Sequence, residues 1–310
     1  LLFPSPTPAR CGAQEISAMR IHHLNCNSMC PLGGRLMDGR HGARGPAVLV
    51  CHCLLVEAND GLVLVDTGFG LQDVRQPEER LSRFFLNLCR PQLREENTAV
   101  RQIEALGFRA ADVRHIVLTH LDFDHAGGLD DFPNARIHLL GSEYEVASRG
   151  RTALDRARFR PAQWHHPENF VLYPSERGES WFGFQAVRQL EGLPPEVLFI
   201  PLFGHTAGHA GVAIHTGSRW LLHAGDAYFY RGELDPRGYR CTPGLRAYQT
   251  MMEQDRDARQ ENQQRLRNLV RRHGGSVTVF SAHDAIEFQE LARTNPPLRD
   301  GIAIAERGNP

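Results

Sequence analysis

Ile116-Val117-Leu118-Thr119-His120-Leu121-Asp122-Phe123-Asp124-His125-Ala126-Gly127-Gly128 sets two histidines and two aspartates within six positions, directly after an apolar run that reads as a buried strand. A divalent cation takes several nitrogen and oxygen donors at about 2.0–2.2 Å, and a tight turn can aim alternate side chains at one point. A helix would splay the same side chains apart. The stretch therefore predicts a metal site on a loop at a strand end. The plainer alternative is a cluster of helix N-caps, since Asp is a favoured cap.

Working outward, three more strands end in residues of the same kind. Val197–Leu202 and Gly211–Ile214 flank Gly204-His205-Thr206-Ala207-Gly208-His209, Trp220–Ala224 runs into Gly225-Asp226, and Ser276–Phe280 leads to Ser281-Ala282-His283-Asp284. Ligands gathered at strand ends along one sheet edge are how α/β architectures build sites. Upstream, two apolar runs between Pro46 and Asp66 flank Ala58-Asn59-Asp60-Gly61, a hairpin signal, and end at Asp66-Thr67-Gly68. Helices are expected around Phe84-Phe85-Leu86, from Thr98 to Leu106, from Ser142 to Ser148, and as one long charged helix after Ala247 closed by Gly274. Residues 149–180, rich in Arg, Pro, His and aromatics, read as an irregular lid or pocket wall.

The chain has 310 residues, 41 % hydrophobic and 23 % charged, which is ordinary globular composition. We read residues 19–310 as a single domain and residues 1–18, with Pro4, Pro6 and Pro8 ahead of Met19, as a disordered or added tail. The formal charge of −1 supplies no field for gathering nucleic acid. All 35 basic residues are arginine, which excludes a lysine nucleophile or Schiff base. No apolar stretch reaches the roughly 20 residues needed to cross a bilayer, and the seven unpaired-looking cysteines suit a reducing, cytoplasmic setting. Cys51 and Cys53 share one face of a strand and are read as core.

In the order and spacing of these blocks, residues 46–290 resemble the metallo-β-lactamase superfamily. The resemblance implies an α/β fold, an αββα sandwich of two mixed β-sheets flanked by helices, with two divalent metal ions at one sheet edge. It implies His120, Asp122 and His205 around the first metal, Asp124, His125 and His283 around the second, and Asp226 bridging them. Asp66 falls where the family keeps an acid behind the ligands, orienting an imidazole. One position departs, since relatives usually carry histidine where this chain has Asp122. Zinc is the expected metal at both positions, and the hard oxygen of Asp122 makes manganese or iron alternatives at the position that contains it.

Two cations flanking a water lower its pKa from about 15.7 toward about 7, so hydrolysis is the reaction implied, with Asp124 or Asp226 relaying a proton. An aspartate at 226 resembles lactonases, thioesterases and phosphoesterases rather than true β-lactamases, and the nearest likeness is to N-acyl-homoserine lactonases. Those carry a pocket tyrosine shortly after the bridging aspartate, which makes Tyr228 the catalytic candidate, with Phe229 and Tyr230 beside it. Phe84, Phe85, Leu86, Trp164, Phe170 and Tyr173 form a candidate apolar wall. His209 is read as a hydrogen-bonding partner, His223 as structural, and at most one of His165 and His166 as facing the pocket. The expected partner is a small-molecule ester or lactone, with neither nucleic acid nor membrane, and a homodimer is left open. A thioesterase or phosphotriesterase on the same site, or a non-hydrolytic di-iron protein reacting with oxygen, are the competing expectations.

Overall fold

The hairpin at the front of the sequence shows how the layers form. In the computed structural model, which describes residues 19–40, 45–164, 166–176 and 178–294, Ala58 pairs with Gly61 across a two-residue turn. The strands it joins belong to a six-stranded sheet of β1 (Arg20–Met29), β2 (Leu49–Ala58), β3 (Gly61–Val65), β4 (Val113–Val117), β5 (Arg136–Leu140) and β6 (Phe170–Tyr173), in that spatial order. The second sheet contains β7 (Glu179–Trp181), β8 (Phe184–Gln189), β9 (Val197–Pro201), β10 (Ala210–His215), β11 (Trp220–His223) and β12 (Val277–Phe280), ordered β12-β11-β10-β9-β8-β7. The tail 1–18 and His165 lie outside the described residues.

Strand alternation sends the two faces of each sheet into different cores. Leu54, Val56, Val63 and Val65 point inward and meet Phe199, Val212 and Ile214 of the other sheet. Cys53, Leu55, Leu62 and Leu64 point outward, beneath Val100 and Ile103 of the helix Ala99–Ala105. On the far side, Leu198, Ala213 and Leu222 pack under Leu266 and Leu269 of the helix Arg256–His273. The central strands of both sheets are buried on both faces, which is why β3 and β9 read as unbroken apolar runs. Burying each such side chain is worth roughly 1.5–3 kcal/mol, so the helices are held by packing more than by their own propensity. The expected αββα sandwich is the fold observed.

Pairing direction then places the loops. β3 and β4 are parallel, as are β11 and β12. Parallel neighbours present their C-terminal ends at the same edge, so the segments after Val65, Val117, His223 and Phe280 emerge in adjacent pairs.

Several expectations need correcting. The long helix after Ala247 is two, Pro243–Met252 and Arg256–His273, because the Asp255 side chain caps the second by accepting from Ala258 N at 3.0 Å. Segment 149–180 is not irregular throughout: it holds the helix Ala153–Arg158, β6 and the start of β7. The ten-residue β1 carried no signal in the sequence, since its histidines break the apolar pattern. Their polarity is satisfied locally, with His22 Nε2 2.7 Å from Glu57 Oε1 and His23 Nδ1 2.8 Å from His52 Nε2. No helix among the described residues is long and apolar enough to cross a membrane.

Candidate metal centre

After β4 the chain turns through Thr119 and His120 into the short helix Phe123–Ala126. His125 N and Ala126 N both donate to the Asp122 carbonyl, at 2.9 and 3.0 Å, so this one turn holds four donor side chains close together. Asp66, at the end of β3 with φ +54°, fixes the turn from behind. Its carboxylate accepts from Thr119 N and the Thr119 hydroxyl and lies 2.8 Å from His125 Nδ1. Burial works against the charged carboxyl, yet the His125 imidazole beside it holds Asp66 below its ordinary value.

The other donors arrive from the second sheet. His283 Nδ1 lies 2.7 Å from the Val50 carbonyl, and His120 Nδ1 lies 2.9 Å from the Thr119 hydroxyl, so in each ring the Nε2 is turned inward. Asp226 follows Gly225, whose φ of +52° and 2.6 Å clearance between an added Cβ and His209 Nε2 leave room only for glycine. His209 Nδ1 meets the Leu202 carbonyl at 2.9 Å, and its Nε2 accepts from Asp226 N at 2.9 Å. His209 thus positions Asp226 with both nitrogens engaged. His223 is engaged likewise, with the His52 carbonyl and Gly225 N.

The structure brings all seven expected ligand residues together, every one of them buried. Asp226 divides its oxygens. Oδ2 lies 3.3 Å from His205 Nε2 and 3.8 Å from His120 Nε2, while Oδ1 lies 3.4 Å from His125 Nε2 and 3.0 Å from His283 Nε2. Asp122 Oδ2 completes the first set, 3.0 Å from His205 and 3.3 Å from His120. Asp124 Oδ2 completes the second, 3.6 Å from His283 and 3.9 Å from His125. Donors arranged tetrahedrally at about 2.0–2.2 Å from a cation stand about 3.3–3.6 Å apart, the spacing these pairs straddle.

A second observation supports the fit. His120 Nε2, His125 Nε2, His283 Nε2 and Asp226 Oδ1 are buried and make no hydrogen bond, although buried polar atoms are almost always partnered. Electrostatics agree. Burial opposes a charged His125, but Asp226, Asp66 and Asp124 outweigh it and push the imidazole well above its usual value, so the cluster calls for positive charge. Cys51 Sγ also lies within 4.8 Å of donors on Asp124 and His283, while its other surroundings are Phe69, Phe85 and Phe123.

Tyr228 does not join this cluster. Its hydroxyl donates to Glu287 at 2.9 Å and its ring is wholly buried among Ala224, Leu234 and Leu266. Phe229 takes the inward place, stacking on His283 with ring centroids 5.1 Å apart. A phenol that does feel the Asp124 and Asp226 carboxylates is Tyr248, on the helix Pro243–Met252 and beside the Cys89 thiol. Burial, then Cys89, Asp124 and Asp226, pushes it well above its usual range, so it remains a donor.

Three residues escaped the sequence reading. Glu143 accepts from Leu121 N and Gly208 N, both at 3.0 Å, and so joins the two histidine loops across the sheets. Tyr248 stood in an unremarkable helix. Arg158, wholly buried, grips Asp122 with Nε to Oδ1 at 2.7 Å and Nη2 to Oδ2 at 2.5 Å. Arg158 had no spacing signal at all, since 36 residues separate it from its partner.

An apolar cavity opens beside the cluster, with Phe85, Phe123, Leu154, Tyr248, Met252 and Arg158 among its walls. Of the expected wall, Phe84 and Phe85 line it, whereas Trp164 and Phe170 pack against the first sheet and Tyr173 bonds His138. His166 is turned outward, 3.1 Å from Glu168.

Comparison with known proteins agrees with this architecture. A solved variant of the Bacillus thuringiensis protein AiiA, with N-decanoyl-L-homoserine bound at its active site, superposes with a TM-score of 0.65 over 89 % of this chain and 97 % of its own, at 22 % identity, a likeness of fold. A probable metallo-hydrolase of Mycobacterium tuberculosis is 42 % identical over 275 residues, covering 89 % of this chain and 83 % of that protein. An N-acyl homoserine lactonase of Bacillus cereus is 35 % identical over 95 residues, 31 % of this chain and 38 % of its own length. The sequence profile of the metallo-beta-lactamase superfamily matches residues 46–283, so the two mixed sheets and the loops at their shared edge have a family, and this chain belongs to the metallo-beta-lactamase superfamily.

Proposed function

We propose that this protein is a metal-dependent hydrolase that cleaves an ester or lactone bearing an apolar acyl group. The single observation that carries the reading is Asp226, whose two oxygens face two separate sets of inward-turned donors beside an apolar cavity. We assign His120, Asp122 and His205 to one cation and Asp124, His125 and His283 to a second, with Asp226 shared. Three carboxylates and four imidazoles suit zinc, with manganese or iron as alternatives at the position containing Asp122. A bound pair of divalent ions supplies Lewis acidity and acidifies a water at neutral pH.

The chain's own groups supply the rest. Asp66 and the Val50 carbonyl hold the His125 and His283 rings in one orientation. Asp124 and Asp226 are the carboxylates placed to take a proton from water and return it to the leaving oxygen. Tyr248, a protonated phenol lining the cavity, is assigned to donate to the substrate's developing oxyanion. The cavity's apolar walls exclude water around the acyl group. A small molecule is the substrate class this shape admits.

The relatives favour a lactone, since one is named an N-acyl homoserine lactonase and the solved AiiA variant holds N-decanoyl-L-homoserine. The test is one metal-loaded preparation assayed on lactones of graded acyl length, thioesters and aryl phosphotriesters, with and without chelator. Chelator-sensitive lactone opening is expected. Turnover confined to thioesters or phosphotriesters would move the assignment to those classes, and oxygen consumption by the iron-loaded protein with no hydrolysis would overturn it.

A further inference from the structure

A permanent cation sits against two of the side chains assigned to one of the two proposed metals. All five N–H groups of Arg158 are engaged: Nε and Nη2 on Asp122, Nη2 also 2.8 Å from His205 Nε2, and Nη1 donating to the Met252 carbonyl at 2.7 Å and the His205 carbonyl at 3.3 Å. We infer that Arg158 makes the two metal positions unequal, holding the position of His120, Asp122 and His205 weak while that of Asp124, His125 and His283 fills tightly. The inference rests on the two-metal reading above.

The two sets differ in what their donor atoms already touch. In the second set His125 Nε2, His283 Nε2 and Asp226 Oδ1 make no hydrogen bond, and each imidazole is fixed from behind. In the first set only His120 Nε2 is bare. Both Asp122 oxygens accept from the guanidinium, and His205 Nε2 has an arginine N–H against it. His205 Nδ1 makes no hydrogen bond, so nothing behind that ring holds it to a metal-binding orientation.

The arginine cannot relieve this by losing its proton, since a guanidinium stays charged in proteins. Nor does it reach solvent, being about 1 % exposed. The helix Ala153–Arg158 delivers it, and the isolated bridge between Asp122 and Phe159 aligns the two segments side by side. A second cation entering there meets like charge at close range in a poorly screened interior, and must share a carboxylate that is already neutralised. Among the described residues no arginine pairs with Asp124, whose electrostatic neighbours are His125, His283, Asp226 and Asp122.

Zinc alone, titrated into the chelator-stripped full chain by calorimetry, with bound metal counted by mass spectrometry, tests this. Two steps are expected, separated by about tenfold or more in Kd. His283→Ala should remove the tighter step and His205→Ala the weaker. Arg158→Gln should tighten the weaker step by about tenfold and leave the tighter one alone, with Arg158→Lys, which keeps the charge and loses the fork, in between. If Arg158→Gln fails to fold, the wild-type titration and Arg158→Lys still decide. Two equivalents binding in one step of equal affinity, or a weaker step indifferent to both substitutions, would overturn the inference. No metal bound at all would overturn the two-metal reading itself.

Discussion

Histidines a few residues apart take opposite roles in this protein, and only their hydrogen bonds separate them. His205 and His209 lie in the same loop, yet His209 has both nitrogens engaged with backbone while His205 turns Nε2 toward Asp122 and Asp226. The spacing of His120, Asp122, Asp124 and His125 was legible because a turn converts short spacing into proximity. Arg158, Glu143 and Tyr248 were not, because each reaches the cluster through tertiary packing. Tyr228 follows the expected aspartate, but the turn after β11 points its hydroxyl at Glu287, a direction that spacing does not show. Tyr248→Phe is therefore expected to lower kcat for ester cleavage by about 10²-fold with little change in KM. Steady-state kinetics on the metal-loaded variant checks it, and an unchanged kcat would remove Tyr248 from the chemistry.

Elements are tied to the site by a few buried polar side chains. The break between the helices Pro243–Met252 and Arg256–His273 puts Gln254 and Asp255 over the His205 loop, where both backbone N–H groups donate to the Gly204 carbonyl and the Gln254 side chain accepts from Ala207 N. The sequence there reads as continuous charged helix, and Asp255 is one carboxylate among many until its cap is seen. Strands ending in ligands were legible from their apolar runs, whereas β7 and β8 were not, since their buried residues, Trp181, Phe184 and Val187, fall three apart and show neither an apolar run nor strand alternation. Glu143 is the most exposed to test. Glu143→Ala leaves two buried N–H groups, on Leu121 and Gly208, without an acceptor, at on the order of 3 kcal/mol in all. Urea unfolding should show that loss, and Glu143→Gln, which keeps one acceptor oxygen, should recover part of it.

The molecule as a whole should be sensitive to acid. Burial, then neighbouring His223 and His22, lowers His23 to about 4, and burial with His115 and Arg136 lowers His138 to about 3. Both imidazoles stay neutral in the folded protein while their unfolded counterparts take up protons below about 6.5. Their contribution to stability is therefore full above that pH and is lost as pH falls through the folded values. Across that window each imidazole gives up about 1.4 kcal/mol for every pH step of one. Thermal unfolding between pH 7 and pH 4 should show a steep fall in Tm, and His138→Gln should make it shallower. An equally steep fall in the variant would place the acid sensitivity elsewhere.

The division of Asp226 between two donor sets has a consequence for how long the protein survives. One side of the cluster hangs from the first sheet and the other from the second, so ions bound there would suture the sandwich along its open edge. At a hundredfold excess over Kd each bound ion adds about 2.7 kcal/mol against unfolding. Chelation is thus expected to lower Tm and to quicken digestion by a nonspecific protease, both reversed by adding zinc back, and an identical Tm with and without chelator would refute the suture. Scarcity of metal would then thin the population of the folded protein itself.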